Sequence, residues 1–280
     1  MVPHPHDSVV ELPPVKSAES VADGRLLARL ARELSDAART RVPVPLLSER
    51  FPDLTLSDAY RIQRINMERR VSAGGRVIGH KIGLTSAAMQ EQMGIHEPDS
   101  GFVFDSMASP SGFPLRAADF MNPRIETEIA FRIGHDLAAT ADLEEVRSAV
   151  AGVFLAFEIL DTCFPGWNMT LVDSIADNAA CARVILGNQL PFAPGWDLAT
   201  EKITANINGE ISATGEGRDI LGNPLNALTW LTRRLADQGT VLRAGDIVLA
   251  GSVHASVPLA PKTDFYATST RLPAVHLRVL

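Results

Sequence analysis

Leu26, Leu27, Leu30 and Leu34 recur at three- and four-residue spacing with polar residues between them, which predicts an amphipathic helix opening near Ala18. Residues 42–52 hold three prolines and break it. A second helix is expected from Thr55, which has capping-box spacing to Asp58, and Ala59, Ile62 and Ile65 line one face until Gly74-Gly75. The pattern then changes to a short β-like run over 77–84 and a two-turn helix over 86–93, stopped by Gly94. Pro- and Gly-punctuated chain leads to Pro123. Beyond it Ile125, Thr127 and Ile129 alternate with Glu126, Glu128 and Ala130, the period of a strand. Asp142 and Glu145 form another capping-box pair, followed by a helix expected to carry Leu143, Val146, Val150 and Val153 into an apolar strand over 154–160. Ile203, Ala205 and Ile207 run into the turn Asn208-Gly209, a hairpin signal. Asn223-Pro224 has the form of an N-cap with Pro at N1, Gly239 closes that helix, and strands are expected at 246–250, 264–270 and 274–279.

The strands are too many, and the helices too irregularly placed, for βαβ alternation. The expectation is an α+β chain: a mobile tail over 1–16, a helical section over 17–76, and a β-rich domain over 77–280 whose sheet folds back on itself. Composition narrows the function. The 280 residues carry a formal charge of −7 and are 46% hydrophobic, a globular balance that disfavours a large nucleic-acid interface. No run approaches a membrane span and no signal-peptide core is present, so a cytoplasmic protein with no membrane partner is expected. The two cysteines, Cys163 and Cys181, have neither CxxC nor zinc spacing.

The sharpest candidate chemistry lies in Ile125-Glu126-Thr127-Glu128-Ile129. Residues i and i+2 on a strand share a face, about 6.5 Å apart. Glu126 and Glu128 are therefore either the solvated face of an edge strand or paired oxygen ligands for Mg²⁺ or Mn²⁺. Glu158 interrupts an apolar strand, where a charge needs a partner or a metal, although a salt bridge or local exposure would also explain it. Lys81 sits between glycines in Gly79-His80-Lys81-Ile82-Gly83-Leu84-Thr85, a string without Walker order. It could bind an anion or assist proton transfer, or simply be exposed. Asp99, in a loop-like run with His96, is a weak acid/base candidate, and His80 and His96 are ambiguous. Asp173, Asp177 and Asn178 read as caps or turns. Gly215, Gly217 and Gly222 make a loop around Arg218 and Asp219 in which Arg218 could contact a carboxylate.

Taken together, the strings GHKIGLTSAAMQEQMGIHEPDSG (79–101), PRIETEIAF (123–131), AFEILD (156–161), VDSIADNAA (172–180), LGNPLNALTWL (221–231) and RAGDIVLAG (243–251) resemble the 2-hydroxypenta-2,4-dienoate (2-keto-4-pentenoate) hydratase family. That family shares its fold with fumarylacetoacetate hydrolase and the 4-oxalocrotonate decarboxylases. The resemblance implies a mixed β roll with peripheral helices, a Mg²⁺ or Mn²⁺ ion on Glu126, Glu128 and Glu158, and Lys81 and Asp99 as catalytic residues. It also implies small 2-oxo acid or dienol acid substrates from aromatic meta-cleavage, a homo-oligomer, and association with a pathway partner enzyme. Hydration of a 2-hydroxy-2,4-dienoate is favoured over decarboxylation of a 2-oxo-3-enedioate, and an inactive scaffold is the rival outside catalysis. Ser100 stands where the family's PDFG string has an aromatic residue, Ala180 where it has a serine, and Cys163 where it often has an arginine. The late turn Pro258-Leu259-Ala260-Pro261-Lys262-Thr263-Asp264 lacks the usual glycine. Losing buried Ser and Arg donors would weaken anion contacts by about 1–3 kcal/mol.

Overall fold

The computed structural model describes residues 22–193 and 195–280; the expected tail over 1–16 lies outside them. In chain order the elements are α1 (Gly24–Thr40), α2 (Leu47–Arg50), α3 (Leu56–Ser72), β1 (Val77–Gly83), α4 (Ala87–Met93), β2 (Asp99–Phe104), β3 (Ala108–Pro110), β4 (Arg124–Ile133), α5 (Leu143–Ala149) and β5 (Val150–Leu160). They continue with α6 (Leu171–Ala176), β6 (Cys181–Leu186), β7 (Leu190–Pro191), β8 (Lys202–Ile207), β9 (Glu210–Glu216), α7 (Pro224–Asp237), β10 (Ile247–Ser252), β11 (Val257–Pro258), β12 (Thr263–Ser269) and β13 (Val275–Val279).

Among the described residues the strands form a curled nine-stranded mixed sheet and a four-stranded one. The main path of the large sheet is β2-β1-β10-β4-β5-β6-β3, with β11 added to β4 and β7 to β5; the small sheet runs β13-β12-β8-β9. β1 lies parallel to β10 and β3 to β6, while β4 pairs antiparallel with both β10 and β5. The two faces of β4 and β5 part company by parity. Ile125, Ile129, Phe131, Leu155, Phe157 and Ile159 enter a core shared with Phe265 and Leu277 of the small sheet and with Leu228 and Leu231 of α7. Ala130, Phe154 and Ala156 point the other way, with Phe102 and Leu249. Glu126, Glu128 and Glu158 belong to that second face by the same alternation.

Leu27, Leu30 and Leu34 of α1 bury against Ile62 of α3, Phe164 of the β5–α6 connection and Ile175 of α6, each side chain contributing roughly 1.5–3 kcal/mol. The helical section is thereby seated on the segment that follows β5. α1 starts at Gly24 behind an Asp23 N-cap, six residues later than Ala18, and α3 carries the expected Thr55–Asp58 capping box. One boundary differs from the sequence pattern. Val150 and Val153 belong to β5, and α5 ends at Ala149, because β-branched residues continue directly from the helix into the sheet. The turn at Asn208-Gly209 has positive φ at both residues, 53° and 87°, as a type I′ hairpin requires.

Candidate metal centre and active site

Register brings the three glutamates together. Glu126 and Glu158 are direct cross-strand partners in the β4–β5 ladder, and Glu128 lies one side-chain repeat along the same face. One carboxylate oxygen from each of the three lies within 4.8 Å of the other two, and all three residues are buried. β4 is flanked on both sides, so the solvated edge-strand alternative is excluded.

Glu128 Oε2 accepts a hydrogen bond from the Gly251 N–H at 2.7 Å. Glu126 Oε1, Glu128 Oε1 and both oxygens of Glu158 are buried with no hydrogen-bond partner. Unmet buried carboxylate oxygens are costly, and converging ones more so. Burial, followed by the charge of Glu158, pushes the Glu126 carboxyl up to about 8 and lifts Glu128 well above its usual range. Orphaned oxygens on an all-carboxylate, oxygen-only donor set fit a hard divalent cation.

Lys81 supplies the positive side chain of the centre. Its Nζ lies 3.6 Å from Glu158 Oε1 and 3.9 Å from Asp99 Oδ1, with the side chain 4% exposed. Burial alone would lower the ammonium's pKa, but Glu158, Asp99 and Glu126 outweigh it and hold the group above its ordinary value. One ammonium thus faces four buried carboxyl groups, a deficit of positive charge that a cation would relieve. β1 and β2 pair with Gly83 opposite Asp99. A Cβ on Gly83 would lie 2.3 Å from Asp99 Oδ1 and 2.8 Å from Lys81 Nζ, so this position must be glycine for both side chains to occupy the space above it.

The remaining candidates fall into other roles. His80 packs against the Phe102 ring, and burial lowers its pKa to about 4, which keeps it neutral. His96 is exposed. Asp173 completes a capping box with Thr170, as its residue type suggested. Asp177 accepts from Thr162 Oγ1 and the Cys163 N–H. Asn178 bonds both the N–H and the carbonyl of Phe102, pinning β2. Arg218 pairs with Glu216 at 2.7 Å in a surface loop. Asn178, Ala179 and Ala180 all have left-handed φ, between 51° and 57°, a strained run next to the centre of the kind that clusters at functional sites.

Sequence reasoning missed Ser174, whose hydroxyl donates to Asp99 Oδ2 at 2.6 Å, and Gln63, whose amide reaches the backbone of Ser100. It also missed Gly251, because a backbone N–H carries no residue-type signal. A cavity of about 620 Å³ between α3 and β6 is lined by Gln63, Arg70, Asn178, Cys181 and Arg183, among others; the three glutamates, Lys81 and Asp99 are not among its walls.

Comparison with known proteins gives the same picture. The family described as "Fumarylacetoacetate (FAA) hydrolase C-terminal" matches residues 80–278. The 2-keto-4-pentenoate hydratase of Paraburkholderia xenovorans is 40% identical over 237 residues, covering 84% of this chain and 88% of the relative. The 4-oxalocrotonate decarboxylase of a Pseudomonas species is 32% identical over 252 residues, covering 90% and 96%. The solved 4-oxalocrotonate decarboxylase from Pseudomonas putida G7, complexed with magnesium and adipate, superposes with a TM-score of 0.88 at 28% identity, covering 94% of this chain and all of that one. With buried carboxylates suited to a divalent metal and relatives of both reaction types along nearly its whole length, the chain belongs to the fumarylacetoacetate-hydrolase-like superfamily, in its 2-keto-4-pentenoate hydratase/4-oxalocrotonate decarboxylase family, and is a metal-dependent enzyme of the lyase class.

Proposed function

We propose that the chain moves a proton on and off the dienolate of a small 2-oxo acid, the half-reaction that hydration and decarboxylation have in common. The observation that carries this reading is the set of three buried glutamates with unmet oxygens, facing one lysine and one aspartate. Glu126, Glu128 and Glu158 would hold Mg²⁺ or Mn²⁺, whose chemistry there is Lewis-acid polarisation of a bound 2-oxo acid toward its C2 oxygen.

The protein's own groups then divide the work. Lys81, kept protonated by its neighbours, anchors the anionic substrate and orients it. Asp99 Oδ1, buried and without a hydrogen-bond partner, is the acceptor that takes a proton from the 2-hydroxyl of a dienol. Protonation of the far carbon gives the 2-oxo-3-enoate. Water adding at C4 gives a 4-hydroxy-2-oxo acid, which is hydration. Run from a 2-oxo-3-enedioate, loss of the distal carboxylate as CO₂ leaves the same dienolate, which is decarboxylation.

Each outcome has its own support. The 40% identity to the 2-keto-4-pentenoate hydratase favours hydration. The superposition on the decarboxylase complexed with magnesium and adipate, a dicarboxylate, favours decarboxylation of an enedioate. Product analysis by NMR on 2-hydroxydienoates and 2-oxo-3-enedioates of varied length, with Mg²⁺ or Mn²⁺, tests the reading. Metal-dependent formation of a 4-hydroxy-2-oxo acid, or release of CO₂, is expected. Bound metal with neither product from either class would overturn it.

A further inference from the structure

The two carboxylate oxygens of Asp99 have different surroundings. Oδ2 accepts from Ser174 Oγ at 2.6 Å, while Oδ1 has no hydrogen-bond partner and lies 3.9 Å from Lys81 Nζ. The last torsion of an aspartate is broad, so nothing intrinsic to the residue sets the rotation of the carboxylate plane relative to the ammonium. The 2.6 Å hydrogen bond from the Ser174 hydroxyl restrains that rotation. The serine's own position is fixed by the first turn of α6, where the Thr170–Asp173 capping box is extended by Ser48, whose N–H and hydroxyl both donate to Asp173.

Gln63 closes the unit from α3. Its Nε2 donates to the Ser100 carbonyl at 2.8 Å and to the Ile175 carbonyl at 2.9 Å. These are the residues directly after Asp99 and Ser174. One carboxamide therefore ties together the two backbones that carry the Ser174–Asp99 hydrogen bond. Gln63, Asp99, Ser100 and Ser174 are all buried, where an unmade hydrogen bond is expensive and a complete network rigidifies.

We propose that Ser174 and Gln63 are positioning residues that fix the Asp99 carboxylate with its free oxygen toward Lys81, and that the helical N-terminal section acts on the active site through Gln63. The assignment rests on Asp99 working in the reaction proposed above. Ser174→Ala, Ser174→Thr and Gln63→Met in the full-length protein test it. In Ser174→Ala, kcat falls about tenfold to a hundredfold while KM and Mn²⁺ affinity, read by electron paramagnetic resonance, stay within about twofold. Ser174→Thr, which keeps the hydroxyl, recovers most of the rate.

A crystal structure of Ser174→Ala reads the orientation without any turnover, and the Asp99 carboxylate is expected to have rotated. Should that variant not fold, Gln63→Met, which keeps the volume and removes both donated bonds, serves instead and shows the same kcat-selective loss with a displaced β2–α6 contact. An unmoved Asp99 carboxylate overturns the positioning role, whatever the substrate. Wild-type protein that binds Mn²⁺ and turns over neither dienols nor enedioates overturns the functional reading instead, and the orientation result still decides the positioning role.

Discussion

At the scale of single residues, the centre depends as much on an absent side chain as on the charged ones. Lys81 and Asp99 can approach each other because Gly83 leaves the space over β1 empty. Gly83→Ala would put a methyl group 2.3 Å from Asp99 Oδ1, a contact that only movement of the carboxylate or the lysine can relieve. The expected result is a loss of kcat of at least about tenfold with a destabilisation of about 1–3 kcal/mol, the ordinary cost of overpacking. Steady-state kinetics alongside urea denaturation checks this, and a fully active Gly83→Ala protein would show that the close approach is not needed. That Glu126 and Glu128 share a face was legible from their spacing on a strand, and that Glu158 needs a partner from its apolar surroundings, but their convergence was decided by the pairing of β4 with β5. Ser174 was not legible, because a serine's hydroxyl finds its partner only when distant segments meet.

At the scale of elements, hydrogen bonds at helix starts do more than begin helices. Asp173 caps α6 by accepting from the Thr170 N–H and hydroxyl, and it also accepts from the N–H and hydroxyl of Ser48 in α2. A single carboxylate, buried from solvent, therefore joins the N-terminal helical section to the helix that carries Ser174. Asp173→Ala removes four accepted bonds, two from half-buried Ser48 and two from exposed Thr170, so a loss of about 1–3 kcal/mol is expected, with a smaller loss for Asp173→Asn. Urea unfolding of the two variants measures both, and equal losses would mean that the charge, absent from both variants, outweighs the capping acceptor that Asn keeps. Sequence reading assigned Asp173 a capping role correctly and saw only its local half. The boundary between α5 and β5 was misread for a related reason. Val146, Val150 and Val153 have helical spacing, but Val150 and Val153 gain more by joining the ladder with β4.

For the whole molecule, the buried carboxylates couple stability to pH and to metal. Glu126 is raised from 4.5 to about 8, chiefly by burial, and Glu128 is raised as well. A carboxyl raised in the folded state binds a proton that the unfolded chain has already released between those values. Its stabilising contribution is complete below the unfolded value and is lost as pH climbs through the folded one. Metal-free protein should therefore lose melting temperature steadily from about pH 5 to about pH 8, the window set by Glu126. Mg²⁺ or Mn²⁺ should restore it, and the gain should be larger at the alkaline end, where the ligands are already deprotonated. Thermal melts with and without chelator across that range decide the matter. A melting temperature of the metal-free protein that rises through the window would show that the carboxylates are not the groups in control.

The order of amino acids alone determined the identity of the local pieces: the capping boxes, the Asn208-Gly209 hairpin, the parity that separates core from polar face on β4, and the acids that share that face. These depend on neighbours a few residues apart, whose geometry the backbone period sets. Which strand lay beside β4, and in what register, was settled only by folding, because pairing is chosen by burial summed over the whole sheet and a shift of one residue would have turned Glu158 away from Glu126. The same holds for the partners of Asp99, Lys81 from β1 and Ser174 from α6, brought to it by packing that no short stretch of chain encodes.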